Sequence, residues 1–242
     1  MAGQTSSSFF TAPGIPGGVA AHSEAQRFVS RIINSAGATP NTFGFVYTES
    51  TTGDVQLDAT AQAGGTGILA GILVQPKAAA TFGTTAGGPL AATLNLPDFA
   101  AGTLMQMGSV FVALPAATAI GNLVSYNTTT GAIAATFAPT ATFTGVIAAN
   151  VLTVSALTAG SIGVGSVVTT TAGAVLGRVA SLGTGTGGNG TYNLDSSSVA
   201  TGSSAMVASS AAAAAGTKLI PNARVDYFSA TGAATGIITL TN

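Results

Sequence analysis

The side chains that could do acid–base or nucleophilic chemistry are few in this sequence, and they stand far apart. His22 is the single histidine, so any mechanism with an imidazole base has to run through it. It follows Ala20 and Ala21 in a loop-like stretch with no orienting partner, and a contact role suits it better than catalysis. Asp54 and Asp58 could be imagined as a carboxylate pair. On a strand they share a face but stand about 13 Å apart, at roughly 3.3 Å per residue, beyond the reach of paired carboxylates in glycoside hydrolysis. They read as solvated surface charges. There is no cysteine, which removes thiolate metal sites, disulfides and cysteine nucleophiles. With one histidine and no Asp-rich calcium loop, neither a metal nor another cofactor is expected.

One stretch does match a binding motif. Gly183-Thr184-Gly185-Thr186-Gly187-Gly188 satisfies the dinucleotide pattern G-x-G-x-x-G, which cradles a pyrophosphate only where a strand enters and a helix leaves. Downstream, Thr191-Tyr192-Asn193-Leu194-Asp195 alternates with period two, and no acidic residue follows about twenty positions on to hold a ribose. The glycines therefore predict a strand-to-strand turn.

The elements that would have to position such residues are uniform in character. Of 242 residues only 5% are charged, against a usual share of about 25%, and mean hydropathy is +0.55. From Phe99 to Gly177 there is no Asp, Glu, Lys or Arg. A surface so poor in charge associates readily, which points to life in an assembly. The net charge is −1 and six Lys and Arg are scattered along the chain, so nucleic acid is not a partner. The most apolar stretch, Val146 to Val175, is broken every few positions by Gly, Ser, Thr or Asn and cannot make the run of about 20 apolar residues that a membrane span needs. Met1-Ala2-Gly3-Gln4 lacks the basic start of a secretion signal.

Apolar runs bounded by Gly, Pro or Asn predict strands at Thr42 to Thr48, Gly67 to Gln75, Met105 to Leu114 and Leu123 to Tyr126, with a hairpin connection at Asn127 to Gly131. Ser23-Glu24-Ala25-Gln26 has capping-box form ahead of Arg27 to Ile33, so that segment suits a short helix or a strand equally. The fold class expected is all-β: a jelly-roll-like or barrel-like sandwich with an extended N-terminal arm and a small inserted β-domain. Residues 1–22, rich in Pro and Gly, form the arm, which has no pattern for folding on itself, and residues 4–20 are expected to be disordered in the free protein and to order against a neighbouring subunit. Residues 23–141 plus 209–242 form the host. Residues 142–208, almost purely Ala, Gly, Ser, Thr and Val, form the insert.

Several of these segments resemble one family. Thr11-Ala12-Pro13-Gly14-Ile15-Pro16-Gly17-Gly18 resembles the arm of the structural cement (decoration) proteins of tailed-bacteriophage capsids. Met107 to Val112, Gly121 to Tyr126 and Gly131-Ala132-Ile133 resemble that family's strand, turn and hairpin, with Asn122 and Ser125 departing from its usual pattern. Ile220 to Val225 and Gly236 to Leu240 resemble its closing strands, so the likeness spans residues 1–141 and 216–242. The insert is similar to a glycine-rich β-module of phage structural proteins. The resemblance implies a protein without catalysis, bound to the major capsid protein on the virion surface, stabilising the shell and forming a dimer or trimer. Phe9, Phe10, Pro13, Ile15, Pro16, His22, Arg27 and Arg31 are then the expected contact residues. The competing expectation is a tail-fibre or adhesin-type recognition module.

Overall fold

The computed structural model describes residues 15–20, 25–35, 41–50, 60–75, 95–195, 201–211, 215–227 and 233–241, and among them no residue is helical. The all-β expectation holds. In chain order the first nine strands are β1 (Arg27–Asn34), β2 (Asn41–Thr42), β3 (Val46–Glu49), β4 (Ala61–Ala63), β5 (Leu69–Val74), β6 (Asn95–Leu96), β7 (Ala101–Leu114), β8 (Leu123–Asn127) and β9 (Ile133–Phe137). Six more follow: β10 (Thr140–Ala148), β11 (Val151–Ala159), β12 (Val167–Thr170), β13 (Val175–Leu182), β14 (Gly190–Leu194) and β15 (Thr201–Ser209). The chain closes with β16 (Thr217–Tyr227) and β17 (Ala234–Leu240). The segment that suited helix or strand is the strand β1, because its backbone pairs with β7, Phe28 opposite Met105 and Ile32 opposite Ala101.

The large sheet runs β1-β4-β3-β5-β7-β17-β16-β8-β9, and the second pairing of β1, to β7, bends its first half into a ring. Strands β3, β5 and the first half of β7 are a wall between two cores. Tyr47, Ala70, Leu73 and Leu104 point into the ring with Ile33 and Phe43. Their neighbours Val46, Ile72, Val74 and Met105 point the other way, onto Val110, Val112, Tyr126 and Ile238. This double burial explains why β5 reads Leu-Ala-Gly-Ile-Leu-Val without polar alternation: it has no solvent face.

The expectation that the arm orders only against a neighbouring subunit is corrected for residues 15–20, which pair with β7 of their own chain. Gly17 N–H donates to Phe111 O (2.7 Å), Phe111 N–H to Gly18 O (2.9 Å) and Ala20 N–H to Ser109 O (2.9 Å). Since Phe111 turns both its backbone groups to the arm, β17 lies on the opposite edge of β7.

The strands β10 to β15 close on themselves in the order β10-β11-β14-β13-β12-β15. Along β10, Ala141, Phe143, Gly145 and Ile147 point inward and Val146 and Ala148 outward, and the interior is filled by Phe143, Leu152, Ile162, Val168, Tyr192 and Met206. The barrel is strung between β9 and β16, both of which pair with β8, and none of its strands pairs with the large sheet. At the neck, Ser210 N–H donates to Pro139 O (3.1 Å) and Ser161 N–H to Ser210 Oγ (3.2 Å).

The hairpin after β8 locks the wall to the second core. Gly131 O accepts Val46 N–H (2.8 Å), and Val46 O accepts Gly64 N–H (2.8 Å). Gly131 has φ +80°, and a Cβ there would run into Val46 O. Gly131→Ala therefore combines left-handed strain with a backbone clash, and the expected loss is about 1–3 kcal/mol, read as a lower urea midpoint at unchanged slope.

Candidate functional site

The glycine-rich loop is a hairpin between β13 and β14, whose register places Leu182 opposite Tyr192. Gly183 and Gly185 N–H both donate to Thr191 O (2.9 and 3.1 Å), Thr184 N–H to Thr191 Oγ1 (2.9 Å) and Gly187 N–H to Tyr192 Oη (3.1 Å). Tyr192 Oη in turn donates to Gly188 O (2.6 Å). Four of the backbone donors that would line a phosphate cradle, those of Gly183, Thr184, Gly185 and Gly187, are thus engaged inside the loop. Glycine is required at 185 because a Cβ there would fall on Tyr192 Cζ. The loop wraps a buried tyrosine and plugs one end of the barrel.

The densest polar cluster gathers on Asp98. Its Oδ1 accepts Ser35 N–H (2.8 Å) and Asn41 Nδ2 (2.7 Å), and its Oδ2 accepts Ser35 Oγ (3.1 Å). Asn41 Nδ2 also donates to Leu96 O (3.2 Å), while Asn41 Oδ1 accepts the Tyr47 hydroxyl (2.8 Å). Burial, and then the charge of Asp98, push the Tyr47 hydroxyl well above its ordinary pKa of about 10. The cluster is a clamp joining the end of β1, the β2–β6 ribbon, β3 and the turn Pro97–Ala100. In that turn Phe99 is 55% exposed and has φ +64°, a conformation for which the sequence carries no signal.

Of the expected contact residues, Phe9, Phe10, Pro13 and His22 lie outside the described residues, as do Asp54 and Asp58. Ile15 is exposed, and Pro16 packs where Gly44 leaves room, beside the second half of β7. Arg27 is exposed at the start of β1. Arg31 Nη2 lies 3.1 Å from Glu49 Oε1, with both side chains about a third exposed, so the pair contributes about 0–1 kcal/mol. Arg27 and Arg31 share β1 with Phe28 and Ile32, apolar residues that are exposed. Among the described residues no group of three or more His, Asp or Glu is placed to hold a metal, and no helix is long and apolar enough to cross a membrane.

Against known proteins, the model of a phage family described as structural cement protein (E217 gp24/Pam3 gp6) matches residues 4–158. The match runs past Ala141 into β11, farther than the resemblance read from the sequence, and leaves β16 and β17 outside. No curated protein matches the chain.

Burial also raises Tyr126 and Tyr192, the latter partly offset by the Gly187 hydrogen bond. A tyrosine whose pKa is higher folded than unfolded holds its proton more tightly in the native state. Its stabilisation is complete below the unfolded value of about 10 and is lost as pH rises above it. The urea midpoint should hold from pH 7 to 9 and fall progressively above pH 10. Tyr47→Phe should lower the midpoint at pH 7 by about 1–3 kcal/mol of stability, since Asn41 Oδ1 loses its donor, and should flatten the alkaline decline.

Proposed function

The chain belongs to the phage structural cement protein family, and from that premise we propose that it binds the outer surface of a tailed-phage capsid, bridges neighbouring copies of the major capsid protein and holds the shell against the pressure of packaged DNA. The observation that carries this reading is the family match over residues 4–158, which includes all of β1 to β9. The polar cluster on Asp98 suits a structural role, since it ties the end of β1 to the β2–β6 ribbon and β3. The chain acts without a cofactor, as a binding protein and not an enzyme.

The mechanism is linkage. A protein that binds the assembled lattice, and not free subunits, stabilises the lattice by its binding free energy. Many copies on a symmetric shell multiply a modest contact. A homo-oligomer, dimer or trimer, brings several contact surfaces into register, and Phe9, Phe10, Pro13, Ile15, Pro16, His22, Arg27 and Arg31 are the proposed contacts. The β10–β15 barrel is a separate inserted domain projecting from the shell, since its strands pair only with one another.

Two outcomes test this. Particles lacking the protein should assemble but release DNA at a lower temperature and under milder osmotic shock; unchanged tolerance counts against the reading. Replacing residues 142–208 by a short Gly/Ser linker should leave a protein that folds and still decorates capsids, because exposed insertions with close ends are dispensable to the host. An aggregated product from that deletion rejects the two-domain division.

A further inference from the structure

From the structure we infer that the cleft between the β4–β5 turn and the bulge in β16 is a carboxylate site built on Lys218, and that it receives an acidic side chain of a capsid subunit. This inference rests on the cement reading and goes beyond it in naming a surface and the chemistry it recognises. Two irregular segments form the walls. The turn Gly64 to Gly67 is anchored from the second core by Tyr126, whose hydroxyl donates to Gly65 O (3.0 Å). Across from it, the pairing of β16 with β8 slips between Leu219 and Arg224. Pro221 and Asn222 stand in that slip, with Asn222 in the left-handed region at φ +53°. The bulge is tied down by Asn222 O, which accepts Thr241 N–H (3.0 Å) and Thr241 Oγ1 (3.1 Å). Between the walls lies an open cleft of about 580 Å³, lined in part by Ile68, Gln106, Lys218, Pro221 and Asn222.

Lys218 is half-buried and carries the one ionised side chain among the described residues lining the cleft. Its Nζ donates to Thr66 O (2.6 Å) and Gly67 O (3.0 Å), which fixes the ammonium against the turn and leaves one of its three N–H groups over. No carboxylate among the described residues lies within ion-pair reach of it. Glu49, whose N–H donates to Ile68 O, turns its own carboxylate to Arg31. Gln106 gives one amide N–H to Ala70 O (3.2 Å) and has a second to give, and the Asn222 side-chain amide has no partner among the described residues. A fixed cation and two amide donors on one cleft are the complement of a carboxylate. Ile68, 78% exposed, and Pro221 supply an apolar rim that shields such a contact from water. The carboxylate comes from another protein, because those of this chain that the structure describes are committed. Glu49 pairs with Arg31, Asp98 holds Ser35 and Asn41, Asp195 accepts Arg178 N–H (2.9 Å) and Asp226 accepts Thr239 Oγ1 (3.2 Å). A second copy would bring the same committed groups, whereas a capsid subunit is the partner that the cement reading supplies.

The direct test is carbodiimide cross-linking of decorated capsids, which joins an amine to a carboxylate only where the two are in contact. The expected product links Lys218 to an Asp or Glu of the capsid protein. Lys218 linked instead to Glu24, Asp54 or Asp58 of this chain, or left unlinked, overturns the proposal. Decoration of capsids stripped of the protein gives a second reading. Ile68→Glu sets a competing carboxylate beside Lys218 at an exposed position; it should melt as the unchanged protein does yet bind about tenfold more weakly or worse. Lys218→Gln keeps a donor for the turn without the charge; it should bind as weakly and with less dependence on salt, and Lys218→Arg should restore both. If Ile68→Glu and Lys218→Gln decorate as the unchanged protein does, the carboxylate site is wrong while the cement reading stands. If the unchanged protein itself fails to decorate, both fall.

Discussion

Strands β3, β5 and the first half of β7 have no solvent face, and the rest of the host depends on that. Apolar area removed from water on both sides of one layer stabilises two cores at once, Tyr47, Leu73 and Leu104 in one and Val46, Ile72 and Met105 in the other. A layer buried on both faces must satisfy every backbone group within the protein. This is why β7 extends over 14 residues, serving β1, β5, the rib at Gly17–Ala20 and β17 in turn. The same demand explains the joint at Val46 of β3, whose N–H donates to Gly131 O and whose O accepts Gly64 N–H. Changes in one core are therefore transmitted to the other through shared strands.

A chain so poor in charge needs another way to avoid indiscriminate association, and closure supplies it. Each strand of the β10–β15 barrel pairs on both sides, so a module with an almost uncharged surface offers no edge to other strands. Exposed Val146, Val164 and Val175 are scattered on it and make no large patch. In the host, ring closure through β1 joins the first half of the large sheet to itself in the same way.

Local pattern made much of this legible. The strands at Leu69–Val74 and Leu123–Asn127 follow their apolar runs, and the alternation of Thr191 to Asp195 is enough to make the glycine loop a hairpin. Other features depend on partners distant in sequence. Arg27 to Ile33 satisfied a helix-start pattern, and only pairing with β7 makes it a strand. The docking of Gly17 to Ala20 uses backbone groups, which leave no side-chain signature. The Asp98 clamp joins residues 57 and 63 positions apart, and no short motif encodes it. Phe99 is illegible for a different reason: the turn rules place Gly there, and the residue breaks them. The change of texture after Phe143 marked a distinct module, but that its six strands close into a barrel is a matter of long-range register.

The central claim is that this chain is a bridge on the outside of the shell. Cryo-electron microscopy of the mature particle tests it most directly. The account predicts density for this fold in many symmetric copies on the outer capsid surface, each touching at least two capsid subunits, with the barrel pointing away from the lattice. Density confined to a few copies on the tail, or copies that each touch a single subunit, would contradict it.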